Sequence, residues 1–287
     1  MSSRLKVSCH LITWGENFVQ GMEEASGLGF RACETFTRIA LNYEDRPEQF
    51  KALLERYGLT LSALYGGGRF SDAGQYQETV AYNTRVAKFV AANGSDRIVF
   101  GPRGPRTEGG TTLEELKTAA KTINEAAKRC FDLGVKACVH PHLYTEIQNE
   151  NEIDVIMELT DPNYVFFCPD TAHLTKAGMD PVAIMRRYKE RIAYVHIKDV
   201  TPDEPDRDLF PVLSGTEAIP IFCELGLGTV DFPPVIRLLE EIGYDGWITI
   251  EIDQSTSTPL KSLEICRDYV EQKLGIPIQG RSLGMSV

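Results

Sequence analysis

This 287-residue chain contains only five histidines, and they are not scattered. His10 lies in the first apolar run, His140 and His142 follow the run Val135–Val139, His173 follows Tyr164–Cys168, and His196 sits at the end of Ile192–Ile197. Carboxylates occur at the same level: Asp170 in Cys168-Pro169-Asp170-Thr171-Ala172-His173, and Glu251 in Ile248-Thr249-Ile250-Glu251-Ile252-Asp253. An acid at the end of an apolar strand needs a partner, because burying an isolated charge is costly. A divalent cation is such a partner, and imidazole plus carboxylate suits Mn²⁺, Zn²⁺, Co²⁺ or Fe²⁺ better than Mg²⁺. The expected ligands are His140, Asp170, His196 and Glu251, with Glu146 and Gln148 as alternatives to His140. Manganese is the first expectation for the ion, followed by cobalt, zinc or magnesium.

Other polar residues near these runs carry expected supporting roles. His142, Glu146 and Glu251 are candidate acid/base groups, and His142 qualifies if the turn after His140 directs it into the same pocket. Lys198 follows His196 closely and is a candidate to stabilise an enolate oxygen, with a surface ion pair alongside Asp199 as the other reading. Glu34, at the end of the second apolar run, is placed to bind a hydroxyl, and Gln148 is a further substrate-binding candidate. Arg103 and Arg106 offer cations for an anionic group or belong to a solvated loop. Trp14, Tyr65, Phe36 and Phe210 are available to stack on a sugar face, with core packing as the default for each.

Such groups converge only if the elements beneath them do. Eight apolar runs rich in β-branched and aromatic residues read as strands: Val7–Ile12, Ala32–Phe36, Leu59–Tyr65, Arg97–Phe100, Val135–Val139, Tyr164–Cys168, Ile192–Ile197 and Trp247–Ile252. Several lack polar alternation, as strands buried on both faces do. Amphipathic segments lie between them: Pro47–Tyr57, Thr112–Leu133, Glu152–Leu159, Pro181–Arg187, Phe232–Ile242 and Leu260–Leu274. Thr112 with Glu115 forms a capping-box pattern, and Gly58, Gly134 and Gly243 follow helix ends. Eight βα units in about 250 residues predict a closed parallel (β/α)₈ barrel whose strand C-termini share one face. No Gly-x-Gly-x-x-Gly follows the first strand, so no nucleotide cofactor is expected. The barrel is read as residues 1–275 and a Pro/Gly/Ser-containing tail as 276–287, the tail being a candidate oligomer contact. Thr201–Pro220 is long for a βα loop and reads as a lid or a surface excursion.

Composition narrows the partners. The net charge of −11 opposes a phosphate backbone, which is bound through Lys and Arg. No apolar run approaches the roughly 18 residues of a membrane span. The N-terminus lacks a signal-peptide pattern, and the seven cysteines form no CxxC, so a reducing, cytoplasmic setting is expected.

Four ordered motifs then carry a resemblance over nearly the whole chain: Pro169-Asp170-Thr171-Ala172-His173, Val195-His196-Ile197-Lys198-Asp199, Gly226-Leu227-Gly228-Thr229-Val230-Asp231-Phe232 and Gly243-Tyr244-Asp245-Gly246-Trp247. They resemble the sugar isomerase/epimerase superfamily with its xylose-isomerase-like barrel. His140-Pro141-His142-Leu143-Tyr144-Thr145-Glu146-Ile147-Gln148 followed by Glu152-Ile153-Asp154 is most similar to inosose dehydratase-like proteins within it. The resemblance implies that His173 binds a substrate oxygen. It also places His140 where the epimerases carry a glutamate, removing one of their two matched carboxylate bases. That departure favours elimination over symmetric epimerisation. The expected function is a metal-dependent lyase acting on a keto-polyol or keto-sugar through an enediolate, by dehydration of an inosose or β-elimination from a 3-keto-glycoside. A sugar isomerase or ketose 3-epimerase on the same metal site is the alternative. An endonuclease-IV-like nuclease is remote, since it needs more histidines and a basic groove. The expected partner is a small sugar or polyol ketone, with no nucleic acid or membrane, and a homo-oligomer is compatible.

Overall fold

In the computed structural model, residues 5–278 are described. Eight strands lie parallel in one sheet: β1 (Lys6–His10), β2 (Ala32–Phe36), β3 (Thr60–Gly68), β4 (Arg97–Pro102), β5 (Lys136–Val139), β6 (Val165–Phe167), β7 (Val195–Ile197) and β8 (Trp247–Ile250). Their order is β6-β5-β4-β3-β2-β1-β8-β7. The ring closes between β6 and β7 through two parallel bridges, Phe167 with Ile192 and Asp170 with His196. Backbone bonds from Ala193 N to Phe167 O (3.1 Å) and from His196 N to Pro169 O (3.0 Å) make this seam. The expected (β/α)₈ barrel is the fold.

The two-residue period of a strand sorts the interior into layers. Ala63, Val99, Cys138, Cys168, Ala193 and Tyr194 pack together inside the barrel. A chain of hydroxyls crosses this level: Ser8 Oγ to Ser62 Oγ at 2.6 Å, Ser62 Oγ to Tyr194 OH at 2.8 Å, and Thr249 Oγ1 donating to Tyr194 OH at 2.6 Å. Two residues further along β5, β6, β7 and β8 come His140, Asp170, His196 and Glu251. Register between β1 and β2 pairs His10 with Glu34.

The helices outside the ring follow local signals. Thr112 and Glu115 close the expected capping box on Leu113–Phe131, and Asn149 and Glu152 form a second on Glu150–Leu159. Two longer helices absent from the sequence reading also appear, Phe18–Gly27 and Tyr76–Ala92, with the short helices Thr37–Ala40 and Thr171–Lys176. The helix Tyr76–Ala92 carries Thr79 and Asn83 on its buried face, which breaks the apolar stripe. Asn83 belongs there because its amide pairs with the Gly67 backbone, accepting from N at 3.1 Å and donating to O at 3.2 Å. Gly67 has φ +99°, and a Cβ there would fall 2.0 Å from Gly101 O, so β3 and β4 touch backbone to backbone. Strand one ends at His10, earlier than expected, where His10 Nδ1 accepts from Ile12 N at 2.9 Å and turns the chain.

Thr201–Pro220 leaves and rejoins the barrel through a short antiparallel ribbon, Asp199–Val200 against Phe222–Cys223. Phe210 is buried in it, and Leu209 is exposed. No helix among the described residues is long and apolar enough to cross a membrane. Of the expected tail, Ile276 and Ile278 are buried, and residues 279–287 lie outside the described residues.

Asp199 organises the next connection. Its carboxylate accepts from Val200 N (2.8 Å), Gly226 N (2.9 Å), Gly228 N (3.0 Å) and Val230 N (3.0 Å). This explains the Gly226–Phe232 motif, because a Cβ at Gly228 would come within 2.3 Å of Val200 O. Hydrogen bonds to charged groups contribute about 1.5–3 kcal/mol each. Asp199→Ala should therefore cost at least about 3 kcal/mol in urea unfolding, with Asp199→Asn milder; a loss under 1 kcal/mol would remove the carboxylate from this role.

Candidate metal centre

Each of the four strands β5 to β8 delivers one candidate ligand to the barrel mouth. One ligand atom from each of His140, Asp170, His196 and Glu251 lies within 4.8 Å of the others, and all four residues are buried. His140 Nε2 stands 3.5 Å from Asp170 Oδ2, and His196 Nδ1 stands 3.9 Å from the same oxygen. His196 Nδ1 and Glu251 Oε2 are 2.8 Å apart, yet they lack the alignment of a hydrogen bond. Both ring nitrogens of His140, Asp170 Oδ2, His196 Nδ1 and Glu251 Oε2 are all buried without a hydrogen-bond partner. Buried polar atoms are normally satisfied, so convergent orphans on four strands point to a missing common partner.

The remaining atoms of these residues hold the orphans in place. Asp170 Oδ1 accepts from Ala172 N (2.8 Å) and His173 N (2.9 Å) at the start of the helix Thr171–Lys176, leaving Oδ2 turned to the site. His196 Nε2 donates to Glu34 Oε2 at 2.7 Å, which leaves Nδ1 as the nitrogen turned to the site. A carboxylate behind a ligating histidine orients the ring and raises its basicity. Glu34 Oε1 lies 3.9 Å from His10 Nε2. Glu34, expected near a substrate hydroxyl, thus contacts two histidines and is fully buried.

The electrostatics fit a dication. Glu34, Asp170 and Glu251 are buried carboxylates, and Lys198 is the buried ammonium beside them. Burial opposes charge on His196, but Glu34 and Glu251 outweigh it and hold its pKa well above the usual value. Burial would also raise Glu251, yet Lys198 and His196 hold it well below the usual carboxylate range. The cluster is built around positive charge. Lys198 Nζ pairs with Asp253 Oδ1 at 2.6 Å, lies 3.7 Å from Glu251 Oε1, and sits 4.4 Å over the Phe222 ring. Burial works against its charge, but Glu251 and Asp253 keep its pKa raised. It is a buried cation at the site, not half of a surface ion pair.

The turn after His140 does bring His142 back. Its ring centroid is 5.9 Å from that of His140 and 3.9 Å from that of His173. Burial lowers the pKa of both His142 and His173, so both imidazoles are neutral near pH 7. His173 also packs edge-on to Phe222 at 4.9 Å. Tyr65 borders the cluster, 5.5 Å from His140 and 6.3 Å from His196 between centroids.

Other candidates lie outside this group. Glu146 Oε1 accepts from Phe70 N at 3.0 Å, and burial raises its pKa as it braces the loop after β3. Gln148 Oε1 accepts from Tyr144 N at 2.6 Å. Neither is among the four grouped ligands. Trp14 Nε1 donates to Glu24 Oε2 at 2.7 Å, and the ring packs on Gly21. Arg106 pairs with Glu152 at 2.8 Å. Arg103 is exposed and lines a cleft with Gly67, Gly68, Arg69, Gln75 and Tyr82. His10 and Asp253 received no role from the sequence; the paired position of His10 beside Glu34 was the available signal.

Two outcomes follow. Glu34→Gln should weaken metal affinity about tenfold to hundredfold, read by competition with a chromophoric chelator. An unchanged affinity would show that Glu34 does not act through His196. Stripping the metal should lower the melting temperature, and saturation at a hundredfold excess over Kd should restore about 2.7 kcal/mol. His196→Ala should abolish that response.

Comparison with known proteins agrees with the barrel fold. Residues 22–269 match the family described as the xylose isomerase-like TIM barrel. The chain is 30% identical over 275 residues to an inosose dehydratase of Clostridium botulinum, covering 90% of each. Among solved structures, the IolI protein with a bound zinc atom superposes with a TM-score of 0.77 at 16% identity, covering 97% of this chain and 100% of that one. The probable 3-DHS dehydratase AsbF of Bacillus anthracis gives 0.77 at 14% identity, covering 94% and 100%. By barrel, motifs and the span of the match, the chain belongs to the xylose isomerase-like TIM barrel family.

Proposed function

We propose that this protein is a divalent-metal-dependent lyase that removes water from a keto-polyol or keto-sugar. The observation that carries this reading is the set of four convergent, buried and unpartnered ligand atoms on β5 to β8. The inosose dehydratase relative, matched over 90% of the chain, supplies the substrate class. A bound dication supplies Lewis acidity, making the C–H beside a ketone easier to remove. Mixed imidazole and carboxylate ligands suit manganese, and also cobalt or zinc. The seven cysteines, all free and buried, support a reducing, cytoplasmic setting.

The chain's own residues do the remaining work. His142, neutral and half-buried, takes the proton from carbon. His173 holds a substrate oxygen. Lys198 keeps its proton and places positive charge where an oxygen becomes anionic. Elimination is favoured over epimerisation because an imidazole, His140, stands on β5 in the ligand set. That leaves Glu251 as the only carboxylate from the acid/base candidates within it.

Metal-loaded enzyme with scyllo-inosose or a 3-keto-glucoside in D₂O tests this reading by NMR and mass spectrometry. Loss of water from the inosose, or of the aglycone from a 3-keto-glucoside, abolished by a chelator, is the expected result. Deuterium at an α-carbon with no loss of water would make the enzyme an epimerase or isomerase instead. His142→Gln should lower kcat by about 10²–10⁴-fold, and Lys198→Met should do so while leaving metal content intact.

A further inference from the structure

His142 and His173 lie against one another, and both touch the backbone of one residue, Leu143. Its carbonyl oxygen is 2.7 Å from His142 Nδ1. A carbonyl only accepts, so His142 Nδ1 must carry the hydrogen. The same residue's N–H points at His173 Nδ1, 3.4 Å away. An N–H only donates, so His173 Nδ1 must be bare. The two rings are 3.9 Å apart between centroids, tilted by 39°. His173 Nε2 is buried with no partner.

We propose that the two backbone groups of Leu143, its carbonyl and its N–H, lock the two imidazoles in opposite tautomers, so that His142 presents an Nε2 lone pair and His173 an Nε2–H to the same substrate. This deepens the dehydratase reading and rests on it for the identity of the substrate. The labour is divided accordingly. The substrate C–H bond breaks, its proton goes to His142 Nε2, and the electron pair stays on the substrate as an enolate. The proton then leaves His142 with the β-hydroxyl as water while the C–O bond breaks and a C=C bond forms. His142 ends neutral, ready for another turnover. His173 keeps its N–H bond throughout, because neutral imidazole giving up its proton would become an anion. It donates a hydrogen bond to a substrate oxygen and serves as a selector for ligands carrying an acceptor there.

The arrangement is absent from sequence because the controlling group is main chain. It also accounts for Tyr144, the one non-glycine residue with positive φ (66°) among the described residues. The turn at Leu143–Tyr144 must present the N–H and the carbonyl of Leu143 to two rings, and Gln148 Oε1 accepts from Tyr144 N at 2.6 Å to hold it.

The deciding experiment is long-range ¹H–¹⁵N NMR of the full chain with ring-¹⁵N histidine, loaded with diamagnetic zinc, without substrate. His142→Gln and His173→Gln assign the two resonance pairs. The expected spectrum has a protonated-type Nδ1 and a bare-type Nε2 for His142, and the reverse for His173. The same tautomer in both rings, or His173 protonated at Nδ1, would overturn the proposal whatever the enzyme's substrate proves to be. Kinetics give the second reading. Glutamine can present an N–H near the ε position, so His173→Gln should recover at least tenfold of the kcat lost in His173→Leu, whereas His142→Gln should show no such recovery. Equal loss in His173→Gln and His173→Leu would make His173 a proton carrier and defeat the division of roles.

Discussion

A carboxylate shut away from water must be neutralised, and that requirement shapes the whole barrel mouth. Glu34, Asp170 and Glu251 are all buried at one level. Each resolves part of its charge locally: Asp170 on two amides of a helix start, Glu34 on His196, and Glu251 toward Lys198. One oxygen of each stays without a hydrogen bond, and those of Asp170 and Glu251 join the convergent ligand group. Desolvation makes such an arrangement untenable alone. The positive charge it calls for is therefore part of the fold's stability as well as its chemistry.

The level itself comes from the strand period. Tyr194, His196 and Lys198, in and flanking β7, are two residues apart, as are Cys138 and His140, Cys168 and Asp170, and Thr249 and Glu251. Beneath the polar level, small residues and a hydroxyl chain fill the ring, so the ligands rest on a packed floor. That floor restricts the rotamers above it, which is the preorganisation a metal centre needs.

How much of this was readable in the residues differs by kind of interaction. The eight strands were legible because a parallel barrel buries both faces of each strand, leaving uninterrupted apolar runs. The clustering of His140, Asp170, His196 and Glu251 was legible because strand ends converge, so Asp170 and Glu251 could be placed without any knowledge of loops. The helix Tyr76–Ala92 was hidden by Asn83, a polar residue whose bonds to Gly67 lie far away in sequence. Glu146 and Gln148 could not be separated from His140 because all three lie on one turn, and only the backbone path decides which reaches inward. Glu34 read as a substrate group because its partner His196 is 162 residues away. Lys198 read as potentially exposed because the ribbon that covers it, with Phe222, returns after a long irregular segment.

The seam of the ring has a consequence of its own. Between β6 and β7 the sheet is joined by two bridges, and one of them links Asp170 to His196, both in the ligand group. An ion gripping those two side chains would act as a clasp across a thin join in the wall. Opening of the cylinder and release of the ion then become one event. The residues that shape the chemistry would also govern how often the barrel breathes, so changes in reactivity at this place are inseparable from changes in its mechanical closure.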